Sequence, residues 1–343
     1  MSNTESKERL ASSALIAYGG LALPLSMALL PIGLYLPAFY AKEVGLSVGM
    51  VGLVLLLARL WDGLSDVIIG MLSDRTTSHF GRRKPWVIVG ALLLIVSTWF
   101  LCLPPKDVGL VYLGVWAILF YTAYTIVIVP YWSWGAELSS DYEERNRITG
   151  FREGGTIVGN LTVATAPLLL LANDAPIRDV LSLIATLIIV LIPIATIPLV
   201  VAIKDPQRIS VPDFQYVRIL NALWQNRPLQ LFLAATLFNA LSAGVINSVA
   251  IFLIDIGLGL PGAFFSLFFI QYSAAIISVP LIIRLANRFG KHRVLAISFI
   301  ITTIYYLTIL ILPIGHYYAM AGLIFVAGIT FACSFILSPS ILA

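Results

Sequence analysis

Charge is scarce in this sequence. Only 11% of the 343 residues are Asp, Glu, Lys or Arg, whereas soluble domains carry about 25% of these residues. A water-soluble surface of this size needs more charge, and a nucleic-acid interface needs a basic patch with interleaved aromatic residues that the sequence does not contain. We therefore expect neither a soluble domain nor a nucleic-acid partner.

Cysteine and histidine are also rare. Cys102 and Cys333 each lie in an apolar run without a CxxC pair, and the three histidines lie in basic loops or a short polar break. This pattern argues against a disulfide framework and a zinc site, and it predicts that both cysteines pack as small apolar side chains. The sequence contains no nucleophile–base pair, so we expect neither an enzyme nor a cofactor.

Long apolar segments take the place of charge. Hydrophobic residues make up 59% of the chain, and the mean hydropathy is +0.97. A transmembrane helix needs about 20 mostly apolar residues, and ten segments meet this requirement. They are residues 13–38, 48–72, 85–104, 109–135, 147–172, 178–202, 229–254, 262–285, 294–313 and 318–342. We therefore expect an all-α integral membrane protein surrounded by a lipid bilayer.

Basic residues are distributed unevenly over the breaks between these segments. The N-terminus and the even-numbered breaks, with the adjoining helix ends, carry seventeen Lys and Arg, against three in the odd-numbered breaks. Cytoplasmic loops of membrane proteins carry the excess of positive charge, so the N-terminus is predicted to be cytoplasmic. The first apolar segment is too long for the core of a signal peptide and is predicted to be an uncleaved helix. The predicted location is the plasma membrane, which in a bacterium is the inner membrane.

The longest polar break divides the segments into six and four. Residues 203–228 form this break, and residues 214–224 within it are predicted to form an amphipathic helix on the cytoplasmic surface. We expect an N-terminal six-helix bundle over 1–202, a cytoplasmic linker over 203–228, and an incomplete C-terminal bundle over 229–343.

An internal repeat supports this division. The string Phe-Gly-Arg-Arg-Lys at 80–84 has a counterpart in Phe-Gly-Lys-His-Arg at 289–293, and Pro130 has one in Pro339, both at an offset of 209. Matches at one offset predict two pseudo-symmetric bundles, as in large transporters. The first half continues for two more helices after Pro130, so we expect this chain to hold about ten of an expected twelve helices and to be shortened at its C-terminus.

The second segment carries charge where apolar residues are expected. Arg59, Asp62 and Asp66 are spaced i, i+3 and i+7, which puts them on one helix face. Each intramembrane charge costs about 2.5–3.5 kcal/mol on insertion scales, and such charges mark functional pathways. Two carboxylates one turn apart repel, so they favour a bound cation, either Na⁺ or a shared proton. An ion pair with Arg59 neutralises only one of the two acids.

The fourth and fifth segments carry further candidates. Pro130 frees a backbone carbonyl in the fourth segment. Trp132 and Trp134 offer either stacking faces for a ligand or part of an interfacial aromatic belt. Arg152 and Glu153 lie inside the fifth segment, as part of a site or as an ion pair at the helix end.

The motifs of the second segment and the loop after it match a known group. They read Arg59-x-Trp61-Asp62-x-x-x-Asp66, Gly70, Asp74-Arg75-Thr76 and Gly81-Arg82-Arg83-Lys84-Pro85-Trp86. With residues 44–52, 124–125, 130–133 and 226–228, they resemble the glycoside–pentoside–hexuronide:cation symporters. That family is the melibiose-permease-like branch of the major facilitator superfamily. The resemblance implies two six-helix bundles with alternating access, and symport of a small-molecule substrate, a sugar, with Na⁺ or H⁺.

The resemblance also implies roles for individual residues. The implied cation-binding residues are Asp62, Asp66, Ser65 and Thr125, with Na⁺ at Asp62 and Asp66 as one option and Arg59 as the charge partner in the same helix. The implied substrate contacts are Tyr124, Trp132 and Arg152. The implied cytoplasmic gate comprises Asp74, Arg75, Gly81, Arg82 and Arg83.

Two departures from that branch keep alternatives open. Its sugar-binding acids are absent, since Ser26 and Ile128 stand at the matching positions. This change favours a second hypothesis, a transporter of a lysolipid or another amphipathic solute. A third hypothesis is a non-transporting, truncated membrane protein, because the chain ends at Ala343 inside its tenth segment. The sequence leaves the coupling ion, the direction of transport and the oligomeric state open.

Overall fold

The computed structural model describes residues 9–139, 141–170, 175–203, 205 and 225–342. Within these ranges every regular element is helical, as a chain surrounded by hydrocarbon requires, because no water is available there to satisfy exposed backbone groups. The helices are α1 (Ser12–Leu34), α2 (Leu36–Lys42), α3 (Val48–Arg75), α4 (Lys84–Cys102), α5 (Leu110–Glu137), α6 (Tyr142–Leu170), α7 (Ile177–Ala202), α8 (Arg227–Phe252), α9 (Phe264–Phe289), α10 (Lys291–Leu310) and α11 (Tyr317–Leu342). A π-helical turn, Leu253–Gly257, follows α8 directly.

The ten predicted segments all correspond to helices. In the described ranges, nine helices are long and apolar enough to cross a membrane. The remaining predicted segment corresponds to α6, which is not among these nine helices and carries several charged residues in its first half. The first predicted segment is divided at Tyr35 into α1 and α2, because Pro37 lacks the N–H group that would continue the helix. The predicted amphipathic helix at 214–224 lies outside the described residues.

Helices α1 to α7 pack as one group around α1. Helix α1 contacts α6 and α7, α3 packs on α5, and α4 packs on α5 and α7. The approach of α6 to α1 is close enough to require glycine: a Cβ atom on Gly155 would collide with the carbonyl oxygen of Gly19. This contact fixes the position of the charged first half of α6 against α1.

Helices α8 to α11 form the second group. Helix α11 packs on α9 and α10, while α9 also contacts α6, and α8 contacts α1 of the first group. The turns before α4 and before α10 share one backbone feature, since Gly81 has φ 104° and Gly290 has φ 89°. Only glycine adopts such values readily. The two copies of the repeated string therefore both place a glycine with positive φ in the turn before a helix, although α4 begins three residues after Gly81 and α10 directly after Gly290.

The two groups share an apolar core at one end only. We call the end with the turns at 76–83 and 290 the basic end, and the end with the turns at 103–109 and 311–316 the opposite end. At the opposite end, the core of the first group continues into the second through Ile254, Leu258, Phe264, Leu267, Tyr305, Ile309, Met320 and Ile324. At the basic end, the second group has a separate core of Ala275, Ile282, Ala286, Val294, Leu295, Ala332, Cys333 and Leu337. In the described part of the chain, the groups are therefore joined at the opposite end and packed separately at the basic end.

Candidate functional site

A cluster of oxygen atoms lies between α3 and α5, in the middle of the first group. Asp62 and Ser65 are buried on α3, and Thr125 is buried on α5. The Thr125 hydroxyl lies 2.9 Å from Oδ1 of Asp62 and 3.0 Å from Oδ1 of Asp66. The Ser65 hydroxyl donates to the Asp62 carbonyl oxygen at 2.9 Å and lies 3.3 Å from Thr125 Oγ1. The structure brings together all four residues that the family resemblance implied for cation binding.

Arg59 occupies the other side of Asp62. Its Nη1 atom lies 3.0 Å from Oδ2 of Asp62, and its guanidinium lies 5.3 Å from the centre of the Tyr121 ring. About half of the Arg59 side chain is exposed. Both carboxylate oxygens of Asp62 therefore have partners, one on its own helix and one on α5.

The hydrogen count at this cluster has a chemical consequence. The Thr125 hydroxyl carries one hydrogen, so it can donate to Asp62 or to Asp66 but not to both. The second contact needs either a proton on one carboxyl group, which then donates to the Thr125 oxygen, or a cation shared by the oxygens. This arrangement can therefore take up and release one positive charge.

A second cluster joins α5 and α6. The Arg152 guanidinium lies 5.4 Å from the centre of the Trp132 ring, and Trp132 is half exposed. Glu153 Oε1 accepts from Arg152 Nη2 at 2.7 Å and from Nε at 3.0 Å. The cluster thus offers an aromatic face, a cation and an acid side by side.

Two buried tyrosines, Tyr18 and Tyr131, lie next to this cluster. Tyr18 on α1 donates to the carbonyl oxygen of Tyr131 at 3.1 Å, and Tyr131 on α5 donates to the carbonyl oxygen of Tyr18 at 2.7 Å. Their rings stack at 4.6 Å, and the Tyr18 hydroxyl interacts electrostatically with Arg152. The sequence had paired Glu153 with Arg152, as part of a site or as an ion pair, and the structure shows this pair. The two tyrosines were not singled out from the sequence.

Other sequence candidates lie elsewhere. Tyr124 interacts electrostatically with Arg59 and Asp62 and stacks on Phe120 at 6.4 Å, so it lies beside the α3–α5 cluster and not with Trp132. Trp134 is fully buried and belongs to the core, not to an interfacial belt. Ile128 is a core residue as well.

The basic end carries a third cluster, centred on Arg83. This side chain is only 2% exposed and donates to Ser73 at 2.9 Å, to Asp74 at 2.6 Å and to Glu137 at 2.7 Å. Arg82 also contacts Glu137, at 2.5 Å. Glu137 lies at the end of α5 and was not predicted; an acid ending an apolar segment on the side of a basic loop was its only signal.

The remaining gate candidates differ in their surroundings. Gly81 forms the turn before Arg82, with the positive φ described above. Arg75 is exposed, and the structure does not bring it into the Arg83 cluster. Asp205 was not predicted, yet its Oδ2 atom accepts from the backbone N–H groups of Arg83 at 2.8 Å and Lys84 at 3.3 Å.

Known proteins resemble this chain over most of its length. A family model described as MFS/sugar transport protein matches residues 15–343. The inner membrane symporter YicJ of Escherichia coli is 29% identical over 246 residues, which cover 67% of this chain and 51% of that protein. The sodium-dependent lysophosphatidylcholine symporter 1-B of Danio rerio is 28% identical over 165 residues, or 46% of this chain and 31% of that protein.

A solved structure shares the fold. The crystal structure of the nucleoside transporter NupG superposes with a TM-score of 0.62 at 14% identity, over 96% of this chain and 81% of that one. The chain spans about half the length of YicJ and less of the lysophosphatidylcholine symporter. The superposition agrees with the helical fold described above. Because the family model covers nearly the whole sequence, this multi-pass membrane protein belongs to the MFS/sugar transport protein family, in the major facilitator superfamily.

Proposed function

We propose that this chain performs cation-coupled symport of a sugar or related glycoside-like solute by alternating access. The observation that carries the proposal is the contact of one buried hydroxyl, on Thr125, with two carboxylates on α3, Asp62 and Asp66. Such a group can bind and release a positive charge within an apolar helix pair, which is what coupling requires. Membership of a transport family supports the proposal.

We further propose that the coupling ion is a proton. The two Thr125 contacts need one more hydrogen than the hydroxyl supplies, and a shared carboxyl proton provides it. Na⁺ prefers several oxygen ligands, but the Ser65 hydroxyl is directed at a backbone carbonyl and Oδ2 of Asp62 is paired with Arg59. The Arg59 charge at 3.0 Å from Asp62 also opposes a second cation there. These features favour a proton over Na⁺.

The α5–α6 cluster suits a sugar. Sugar hydroxyls are both donors and acceptors, and Arg152 supplies donors while Glu153 supplies an acceptor. The half-exposed ring of Trp132 can stack on the apolar face of a pyranose. Glu153 thus offers a carboxylate to a sugar, although Ser26 and Ile128 stand where the related branch has its sugar-binding acids. We place the N-terminus and the basic end on the cytoplasmic side of a bacterial inner membrane, following the distribution of Lys and Arg.

The second candidate is an amphipathic solute such as a lysolipid. It is favoured by a relative that is named as a lysophosphatidylcholine symporter. The two candidates differ in what the substrate must offer. A sugar needs hydroxyls for Arg152 and Glu153, while a lysolipid needs only a polar head and an apolar tail.

Uptake into proteoliposomes tests the proposal. We would apply an inward gradient of one pH unit, worth about 1.4 kcal/mol or tenfold accumulation, and measure a panel of labelled monosaccharides, disaccharides and lysophosphatidylcholine. The expected result is accumulation of a sugar by the unchanged protein and loss of accumulation in both Asp62→Asn and Asp66→Asn. Asp179→Asn, at an exposed position in the first turn of α7, is the matched control and should retain uptake.

Other outcomes contradict specific parts of the proposal. Full gradient-driven uptake in both site variants would rule out the coupling role of the two acids. Accumulation driven by a Na⁺ gradient at equal pH would rule out the proton as the coupling ion. Accumulation of the lysolipid alone would establish the second candidate.

A further inference from the structure

Aromatic and charged side chains take part in the contact between the two helix groups at the opposite end, beside the shared apolar core. Tyr35, between α1 and α2, is 1% exposed, and its ring lies 6.1 Å from Phe264 and 5.7 Å from Phe265 on α9. Lys42, the last residue of α2, places its Nζ atom 5.1 Å from the centre of the Phe252 ring at the end of α8. We call these five residues the outer junction. Alternating access requires that the outer junction opens.

A π-helical turn adds an acid next to this junction. Asp255 lies in the turn Leu253–Gly257, directly after Phe252, and it interacts electrostatically with Lys42. The backbone of Gly262 lies close enough to favour the charged form of this carboxylate. Its Oδ1 atom is buried and, among the described residues, has no hydrogen-bond partner. A buried carboxylate oxygen without a partner destabilises the conformation that buries it.

The two charges therefore differ in their effect on closure. Lys42 gains the ring of Phe252 when the groups meet, and such cation–π contacts are attractive. Asp255 loses water at the same time, and desolvation raises its pKa despite the attraction of Lys42. Burial thus outweighs the ionic attraction at Asp255. In a simple salt bridge across the junction, the ionic attraction would outweigh the cost of burying the carboxylate.

We propose that Lys42 holds the outer junction closed while Asp255 favours its opening, so that the closed junction is poised to separate. The proposal rests on the alternating-access function proposed above. Asp255 lies within the π-helical turn, where the backbone departs from the regular α-helical register. Opening returns the Asp255 carboxylate to water and separates Lys42 from Phe252.

Distance measurements between spin labels test this proposal in the full chain. Labels are attached at Lys106→Cys, in the exposed turn between α4 and α5, and at Ile311→Cys, at the exposed end of α10. Both positions are at the opposite end, one in each group and neither in the outer junction. The buried native cysteines are first replaced by Cys102→Ala and Cys333→Ala. Distances are recorded by double electron–electron resonance in lipid nanodiscs without substrate. Because no transport is measured, the result can refute the roles of Lys42 and Asp255 without refuting the proposed symport.

The variants are expected to act in opposite directions. Lys42→Ala should increase the population of long distances about two- to fivefold, the range of a cation–π contact at an exposed site. Lys42→Arg, which keeps the cation, should resemble the unchanged protein. Asp255→Asn removes the charge of this partly buried carboxylate and should decrease the population of long distances. Should Lys42→Ala not yield a monodisperse protein, Lys42→Gln repeats the measurement with the side-chain stem kept.

Two sets of results overturn the proposal. If removing the Lys42 cation leaves the distances unchanged, Lys42 does not hold the junction. If Asp255→Asn leaves the distances unchanged or lengthens them as Lys42→Ala does, Asp255 does not favour opening, and in the second case the pair is an ordinary salt bridge.

Discussion

The carboxylate of Asp205 fills the space that a Cβ atom on Gly81 would occupy. Asp205 follows the end of α7, while Gly81 forms the turn before α4 with φ 104°. The same carboxylate caps α4 by accepting from the backbone N–H groups of Arg83 and Lys84. A residue at the start of the segment that connects the two helix groups therefore fixes the loop that carries the Arg83 cluster.

This contact predicts a coupling between two substitutions. Gly81→Ala should lower the free energy of unfolding, because the left-handed conformation costs about 1–2 kcal/mol for a residue with a Cβ atom, and because the new atom meets Asp205. In an Asp205→Ala background the collision disappears, so the cost of Gly81→Ala should be smaller. Unfolding of the purified protein in detergent, followed by tryptophan fluorescence, gives the four values of the cycle. An equal cost in both backgrounds would contradict the contact.

The burial of Arg83 predicts a large effect of its removal. Arg83→Ala leaves Glu137 and Asp74 without this partner, and losing one member of a buried ion pair costs about 3–5 kcal/mol. Arg83→Lys should recover part of the stability, because one ammonium group cannot reproduce the fork that reaches three partners. The control is Arg75→Ala, an exposed arginine nearby, which should stay within about 0.5 kcal/mol of the unchanged protein. Thermal unfolding in the same detergent measures all three, and similar losses for Arg83→Ala and Arg75→Ala would refute the cluster.

The Thr125 hydroxyl predicts a functional effect separate from stability. Thr125→Val keeps the shape of the side chain but removes both carboxylate contacts, so proton-driven uptake should fall at least about tenfold, which corresponds to about 1.4 kcal/mol. Thr125→Ser restores a hydroxyl and should retain most of the uptake. Thr122→Val, one turn away on the exposed face of α5, is the matched control and should transport normally. Normal uptake by Thr125→Val would show that the hydroxyl is not part of the ion site.

Much of the architecture could be predicted because hydrophobic runs are a local property. The helical nature of the ten segments and the membership of a transport family are confirmed by the structure and the comparisons. The grouping of Arg59, Asp62 and Asp66 also followed from helical spacing, since residues on one face are fixed by the helix itself. Their roles, and the division at 203–228, stay predictions.

Contacts between distant segments could not be predicted in the same way. Glu137 and Asp205 carry no motif, and they reach Arg83 only because α5 and α7 both pack beside α4. The outer junction likewise depends on the approach of α2 to the end of α8. Side chains that meet across helices are selected by packing, and the sequence of either helix alone is compatible with many partners.

The sequence by itself determined that this protein is a bundle of membrane helices with acids on one face of the second span, because helix formation and polarity are encoded within each segment. Only the tertiary structure decided which groups those acids meet, and which end of the bundle is closed. Both depend on how whole helices pack, and that packing is fixed by close approaches such as Gly155 against Gly19, which no single segment reveals.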